Sequence, residues 1–261
     1  MSSKEFETII YESKDKIGYI TLNIPRRHNA LSFQLLDDIP AAFEYAEQDK
    51  SVNVVVMKGA GKSFCSGFDN DASYYRTPPE GGWNYVNSYN ILNKKVYAIY
   101  TRIWDFPKPT IAQIHGYCRD AGCYLQLCCD ISVAAEDALL GHPAQLWGGS
   151  QSLPLWQFYL GVKKARYILM SGRLITGKEA ADWGLVSISV PREKLDEEVH
   201  KLASEIAQVR HDGALHNKIA LNTDLKIRGI DALFEYYGQM NRYTRFIYRP
   251  PAEWEKPKKP E

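Results

Sequence analysis

The chain has 261 residues, enough to bury one large domain or a domain with an appendage, and its 45% apolar and 24% charged content excludes a disordered or fibrous polymer. A net charge of +1 speaks against nucleic acid as a partner, which calls for a basic excess gathered on one face. The polar start Met1-Ser2-Ser3-Lys4-Glu5 lacks the apolar centre of a signal peptide, and no later stretch reaches the roughly 18 apolar residues of a spanning helix, so a cytoplasmic protein without membrane contact is expected.

In chain order, residues 19–23 read as a strand, residues 31–49 as a helix with Pro40 a local irregularity, and the apolar run 52–57 as a buried strand. A first Gly-containing turn follows, Phe64-Cys65-Ser66-Gly67-Phe68-Asp69. After it come an aromatic-rich segment, residues 74–85, and a helix-like run carrying Tyr89, Tyr97, Tyr100 and Trp104. The strand 110–114 leads to a second turn, His115-Gly116-Tyr117-Cys118-Arg119-Asp120-Ala121-Gly122-Cys123, and a helix-like stretch ending at Cys128-Cys129-Asp130. A strand over 131–135 and a helix over 155–171 come next. Thr176-Gly177-Lys178-Glu179 is a capping box that opens a short helix ending at Trp183-Gly184. Alternating strands and helices argue for an α/β fold. Beyond residue 190 the pattern turns almost wholly helical to Tyr237, which places a boundary between a core, 1–190, and a C-terminal region, 191–261, whose Pro/Lys-rich end cannot form a regular helix.

Five cysteines, four of them inside the second turn and the helix-like stretch after it, read as reduced buried thiols and not as a disulfide framework. Cys128-Cys129 has neither C-x-x-C spacing nor nearby ligand partners, so no metal site is expected.

The two turns carry the chemistry. Small residues after a buried strand let a substrate carbonyl approach the main chain, and two converging N–H groups stabilise a negatively charged oxygen where water is excluded. At these residues, with Arg26-Arg27-His28-Asn29-Ala30-Leu31 before them and Ala180-Ala181-Asp182-Trp183-Gly184-Leu185-Val186 after them, the chain resembles the crotonase (enoyl-CoA hydratase/isomerase) superfamily, whose turns read F-C/S-A-G-x-D and G-x-A-x-G-G-G-x-E-L-A-x-x-C-D. The resemblance runs from about residue 17 to about residue 190. It implies a crotonase-like spiral of ββα units with a C-terminal helical trimerisation region, a homotrimer or dimer of trimers, and an acyl-CoA thioester as substrate. Coenzyme A then enters as part of the substrate, and no further cofactor is required.

By the same resemblance the oxyanion donors are the N–H groups of Phe68 and Ala121. Coenzyme A is expected near Arg26, Arg27 and Ala30, with Ser66, Phe68, Asp69 and Asn70 of the first turn; guanidinium groups suit phosphate, although the arginines also fit a solvated turn. His28 reads as a surface residue, and Asp69 and Asn70 either bond the adenine side or cap the following helix. The aromatic segment 74–85 flanks the acyl pocket in the superfamily and would select a bulky or cyclic acyl group, unless its rings only pack the core.

The two carboxylates of the superfamily's hydratases are not where the motif keeps them: Tyr124 and Ala144 stand at those positions. Three side chains are candidates to replace them. Asp120 is a shifted acid/base group or bonds its own turn. Tyr124 offers a phenol, a weak base near neutrality, or fills space. His142 offers an imidazole for proton transfer or serves as a structural hydrogen-bonder. Ser152 lacks an identifiable base, and Gln151 can orient a water but not deprotonate it. Three functions follow: an enoyl-CoA hydratase/isomerase-like enzyme stabilising a thioester enolate, an acyl-CoA hydrolase cleaving a C–C bond or the thioester, and a non-catalytic CoA-binding homologue. A working enzyme of the first kind is the expected one.

Overall fold

A computed structural model of the protein describes residues 2–69, 84–147, 151 and 153–247. The chain opens as an antiparallel meander of β1 (Ser2–Glu5), β2 (Ile9–Lys14) and β3 (Ile17–Leu22). In β2 the period-2 pattern is visible, with Ile9, Tyr11 and Ser13 buried while Glu12 and Lys14 are exposed. From β3 onward the sheet is parallel, continuing through β4 (Val54–Gly59), β5 (Thr110–Ile114), β7 (Ile131–Ala135) and β10 (Ile188–Val190). All five residues of β5 are buried, as in strands covered on both faces, and such strands read as continuous apolar runs. A smaller sheet joins β6 (Tyr117–Arg119), β8 (Leu139–Gly141) and β9 (Leu174–Thr176). Its strands of three residues are too short to show alternation in the sequence, which is why only the longer strands are expected from it.

Helix α1 (Phe33–Gln48) starts where Ser32 Oγ accepts the Leu35 N–H at 3.2 Å. It buries Leu35, Leu36, Ile39, Ala42, Phe43 and Ala46 against β2 and β3, spaced at three and four residues, and this apolar stripe outweighs the hydrogen bond lost at Pro40. Helix α2 (Tyr85–Ile91) and α3 (Ala98–Trp104) are joined by a π-helical stretch, Leu92–Tyr97. Tyr100 and Trp104 of the aromatic run are core residues, the latter edge-on to Phe234 at 6.0 Å. Helix α4 (Ala121–Cys128) is buried along its whole length, between α3 and β5. Helix α5 (Trp156–Ser171) is broken at Gly161, and α6 (Gly177–Trp183) carries the capping box, with Thr176 Oγ1 accepting the Glu179 N–H and Gly184 closing the helix in the left-handed region.

Helix α7 (Leu195–Ile206) lays Leu195, Val199 and Ala203 on β4, β5 and β7, so the sheet core recruits residues past 190. The last two helices are α8 (His211–Ile227) and α9 (Ile230–Ile247); α9 packs against α2 and the π-helical stretch. All five cysteines are buried free thiols. Among the described residues no helix is long and apolar enough to cross a membrane, and no three His, Cys, Asp or Glu side chains are grouped to hold a metal ion.

Candidate active site

Residues 24–31 shape one wall of the site. The 3-10 turn Pro25–Arg27 runs into two left-handed residues, His28 (φ 50°) and Asn29 (φ 53°), a conformation Asn tolerates better than most side chains. Asn29 is fully buried and its amide ties the loop: Oδ1 accepts the Ile24 N–H at 2.8 Å, while Nδ2 donates to Ala60 O and Ser63 O at 3.0 and 2.8 Å. His28 is half-buried, its Nδ1 2.9 Å from Ser63 Oγ and its ring edge-on to Tyr117, so the expected surface position is corrected by the left-handed turn that folds it inward.

That loop delivers Leu31 to the first turn. Leu31 N–H donates to Gly67 O at 2.8 Å, and Leu31 O accepts the Asp69 N–H at 3.0 Å. The rungs skip Phe68, whose N–H therefore faces the opposite edge of the segment. On that edge lies the second turn: Cys65 N–H donates to Tyr117 O at 2.9 Å and Cys65 O accepts the Arg119 N–H at 3.0 Å. The approach is close enough that a Cβ on Gly122 would stand 2.5 Å from Cys65 O, and one on Gly67 would stand 2.9 Å from Asp120 Cβ. Ala121 is the first residue of α4, so its N–H has no intrahelical acceptor, and among the described residues it donates to no backbone group. Phe68 and Ala121 thus each follow directly on one of the two residues, Gly67 and Asp120, that meet at the seam where the turns approach.

Asp120 sits at this seam in an unusual backbone conformation, φ 49° and ψ −120°, which suits glycine and strains a residue with a Cβ. Its carboxyl does not bond its own turn, as one reading of the sequence has it. Oδ1 instead accepts the Ala144 N–H at 2.9 Å and lies 3.5 Å from His142 Nδ1, because β8 runs alongside β6 and brings residues 142–144 under the turn. Oδ2 lies 3.3 Å from where a Cβ on Gly67 would stand, over the first turn. Burial pushes the Asp120 carboxyl above its ordinary value, opposed by His142, the Ala144 N–H and Arg119.

Behind Asp120 the side chains close into an aromatic cluster. His142 is 3% exposed, with Nδ1 3.0 Å from Gln145 Oε1 and its ring edge-on to Tyr124 at 5.6 Å. Tyr124 is fully buried, edge-on also to Tyr100 and Trp156 at 5.8 and 6.3 Å. Phe68, Ala121, Asp120, His142 and Tyr124 are therefore brought together.

The residues expected at coenzyme A form a second group along the loop 24–31. Arg26 is exposed; Arg27 forms an ion pair with Asp69, which is 6% exposed; Ala30 is buried. Ser66 N–H donates to His28 O at 3.0 Å. Gln151 donates from Nε2 to Tyr237 Oη at 2.7 Å, which ties the site's far segment to α9. Asn70, Ser152, residues 74–83 of the aromatic segment and the Pro/Lys-rich end lie outside the described residues. Sequence reasoning missed three contributors. The buried amide of Asn29 and the ring of Trp156 gave no signal of their own, and the Ala144 main-chain N–H has no residue-type signature at all.

The profile of the enoyl-CoA hydratase/isomerase family matches residues 12–244. The chain belongs to this family. A Dictyostelium discoideum protein named as a probable mitochondrial enoyl-CoA hydratase is 32% identical over 230 residues, covering 86% of this chain and 78% of that one. Among solved structures, an enoyl-CoA hydratase/isomerase from Xanthobacter autotrophicus Py2 superposes with a TM-score of 0.86 at 32% identity, covering 92% of this chain and 87% of its own. A probable enoyl-CoA hydratase from Mycobacterium smegmatis gives 0.83 at 30% identity, with 91% and 94% covered. The crotonase-like architecture expected from the turns is the one observed. In this family member the Tyr124 phenol is sealed in the core, and the main-chain N–H of Ala144 grips Asp120.

Proposed function

We propose that the protein is an acyl-CoA lyase or isomerase of the enoyl-CoA hydratase type in which Asp120 takes the place of the family's carboxylates. The thioester oxygen is held by the Phe68 and Ala121 N–H groups, which stabilise the charge that builds on it as an enolate forms. Asp120 Oδ2, over the same seam, moves the proton at the adjacent carbon, while the Ala144 N–H and His142 hold Oδ1. A carboxyl raised by burial is suited to both halves of that exchange. The observation that carries this reading is the strained Asp120 backbone: a residue kept at a glycine-like φ/ψ at a cost of about 1–3 kcal/mol is kept for its side chain.

Coenzyme A serves as the handle of the substrate, with its phosphates beside exposed Arg26 and the Arg27–Asp69 pair, and no other cofactor takes part. The aromatic composition of segment 74–85 supports a bulky or cyclic acyl group. The exposed Ile219, Leu221 and Ile227 of α8 support a homotrimer or dimer of trimers.

Incubating the purified protein with linear and cyclic enoyl- and oxoacyl-CoAs, with products read by mass, tests the reaction. Gain of one water on the acyl-CoA marks hydration or ring opening, and free CoA marks thioester hydrolysis. Asp120→Asn is expected to lower turnover by about 10²–10⁴-fold while acyl-CoA binding persists. Parent-level turnover in that variant removes Asp120 from the chemistry, and binding without product across the whole panel favours a non-catalytic CoA-binding protein.

A further inference from the structure

The turn that follows β8 holds one more residue aimed at the chemistry. Gln145 lies three residues after His142, on the 3-10 turn Pro143–Trp147, and its Oε1 stands 3.0 Å from His142 Nδ1. The same nitrogen is 3.5 Å from Asp120 Oδ1. An amide can be turned so that either its oxygen or its nitrogen faces the ring, but a carboxylate offers only acceptors. A lone pair on Nδ1 would face the Asp120 oxygen and be repelled by it, whereas an Nδ1–H satisfies both neighbours. The amide oxygen is the atom that faces Nδ1, and Gln145 Nε2 is buried without a partner among the described residues.

We infer that Gln145 is a positioning residue that fixes His142 in the Nδ1–H form, so that the imidazole presents a hydrogen, and not a lone pair, to the Asp120 carboxylate. This rests on the reading of Asp120 as the proton-transfer group. The other ionisable groups at the cluster are Arg119 and the buried Cys65 thiol beside Asp120, and Tyr124, whose ring is edge-on to His142. Without Gln145 the neutral ring is free to carry its hydrogen on Nε2, and the Nδ1 lone pair then opposes ionisation of Asp120. The acid limb of the rate profile moves to higher pH as a result.

The test uses the full chain, with Gln145→Leu made alone and in a His142→Asn background, and the imidazole nitrogens of the parent and Gln145→Leu proteins read by ¹⁵N NMR. In the parent, His142 is expected to carry hydrogen on Nδ1; in Gln145→Leu, Nε2–H is expected to appear. Turnover on the substrate found in the panel falls by about tenfold with KM unchanged, the size of effect that orienting partners of an imidazole have at other sites. The acid limb shifts up, and in the His142→Asn background the second change has no further effect. A parent His142 protonated on Nε2, or an equal loss from Gln145→Leu in both backgrounds, overturns the proposal. The nitrogen spectrum does not depend on turnover, so a normal tautomer response together with an active Asp120→Asn protein sinks the role of Asp120 and leaves the action of Gln145 on His142 standing.

Discussion

In the first turn the left-handed step falls on Gly67, at φ 100°, whereas in the second a glycine-like step falls on Asp120, at φ 49° and ψ −120°. The two residues touch, since a Cβ on Gly67 would meet Asp120 Cβ at 2.9 Å. Only one of them can carry a side chain. Where the backbone alone is needed, to turn the Phe68 N–H toward the seam, glycine supplies the bend without strain. At the second turn a carboxyl is retained despite the conformation, held by the Ala144 N–H and His142. The strain therefore falls on one side of the junction, at the residue that keeps its carboxyl.

The comparison breaks first if the amides do no work. Ala121→Pro deletes one donor at a position where the first turn of a helix tolerates proline, and turnover on the best acyl-CoA should fall by about 10²–10³-fold, with the far-ultraviolet circular dichroism unchanged. Undiminished turnover would dissolve the pairing of the two turns as an oxyanion site.

Gly67→Ala probes the unstrained side. The added Cβ meets Asp120 Cβ at 2.9 Å and adopts a φ that non-glycine residues avoid, so chemical denaturation should show a loss of about 1–3 kcal/mol together with reduced turnover. Asp120→Gly is the converse. It relieves the strain but also removes the acceptor of the Ala144 N–H, so the two nearly offset and stability should change by no more than about 1 kcal/mol, while activity is lost. A loss of several kcal/mol in Asp120→Gly would mean that the carboxyl's contacts with the Ala144 N–H and His142 outweigh the strain, so that stability alone accounts for the side chain.

The smallest effect is the pH dependence of stability. Asp120 ionises in the unfolded chain at its ordinary value and in the native state only at higher pH, so the native state loses stability as pH rises through that interval and stays lower above it. Asp120→Asn should therefore match the parent in Tm at low pH and pull ahead as pH rises above about 4, the ordinary Asp value. A gap that is already full at low pH would show that ionisation is not its source.

Much of the fold was legible in the chain. Residues 110–114 and 131–135 form strands with the bounds their apolar runs suggest, since strands buried on both faces admit little else, and the capping box at Thr176 starts a helix where the sequence places it. The strand Ile9–Lys14 and the three-residue strands of the small sheet were not read, because Tyr11 and Ser13 alternate with residues too mixed in polarity to stand out and three residues carry no period. In the site, the two turns were visible as Gly-containing junctions after apolar strands. The partners of Asp120 were not, since Ala144 acts through its main chain and lies 24 residues away.

The sequence by itself determined the family, the α/β layering and the two turns, because local bends and apolar periodicity are set by neighbours along the chain. It also presented Asp120 and His142 as equals, with Tyr124 behind them. Only the tertiary structure separated them: Tyr124 is sealed among rings, His142 is turned toward Gln145 and Asp120, and Asp120 alone is strained, with side-chain exposure of 23% and one oxygen over the seam. Burial, backbone strain and the second partner of each polar atom are fixed by strands that meet from distant parts of the chain, and no run of residues records them.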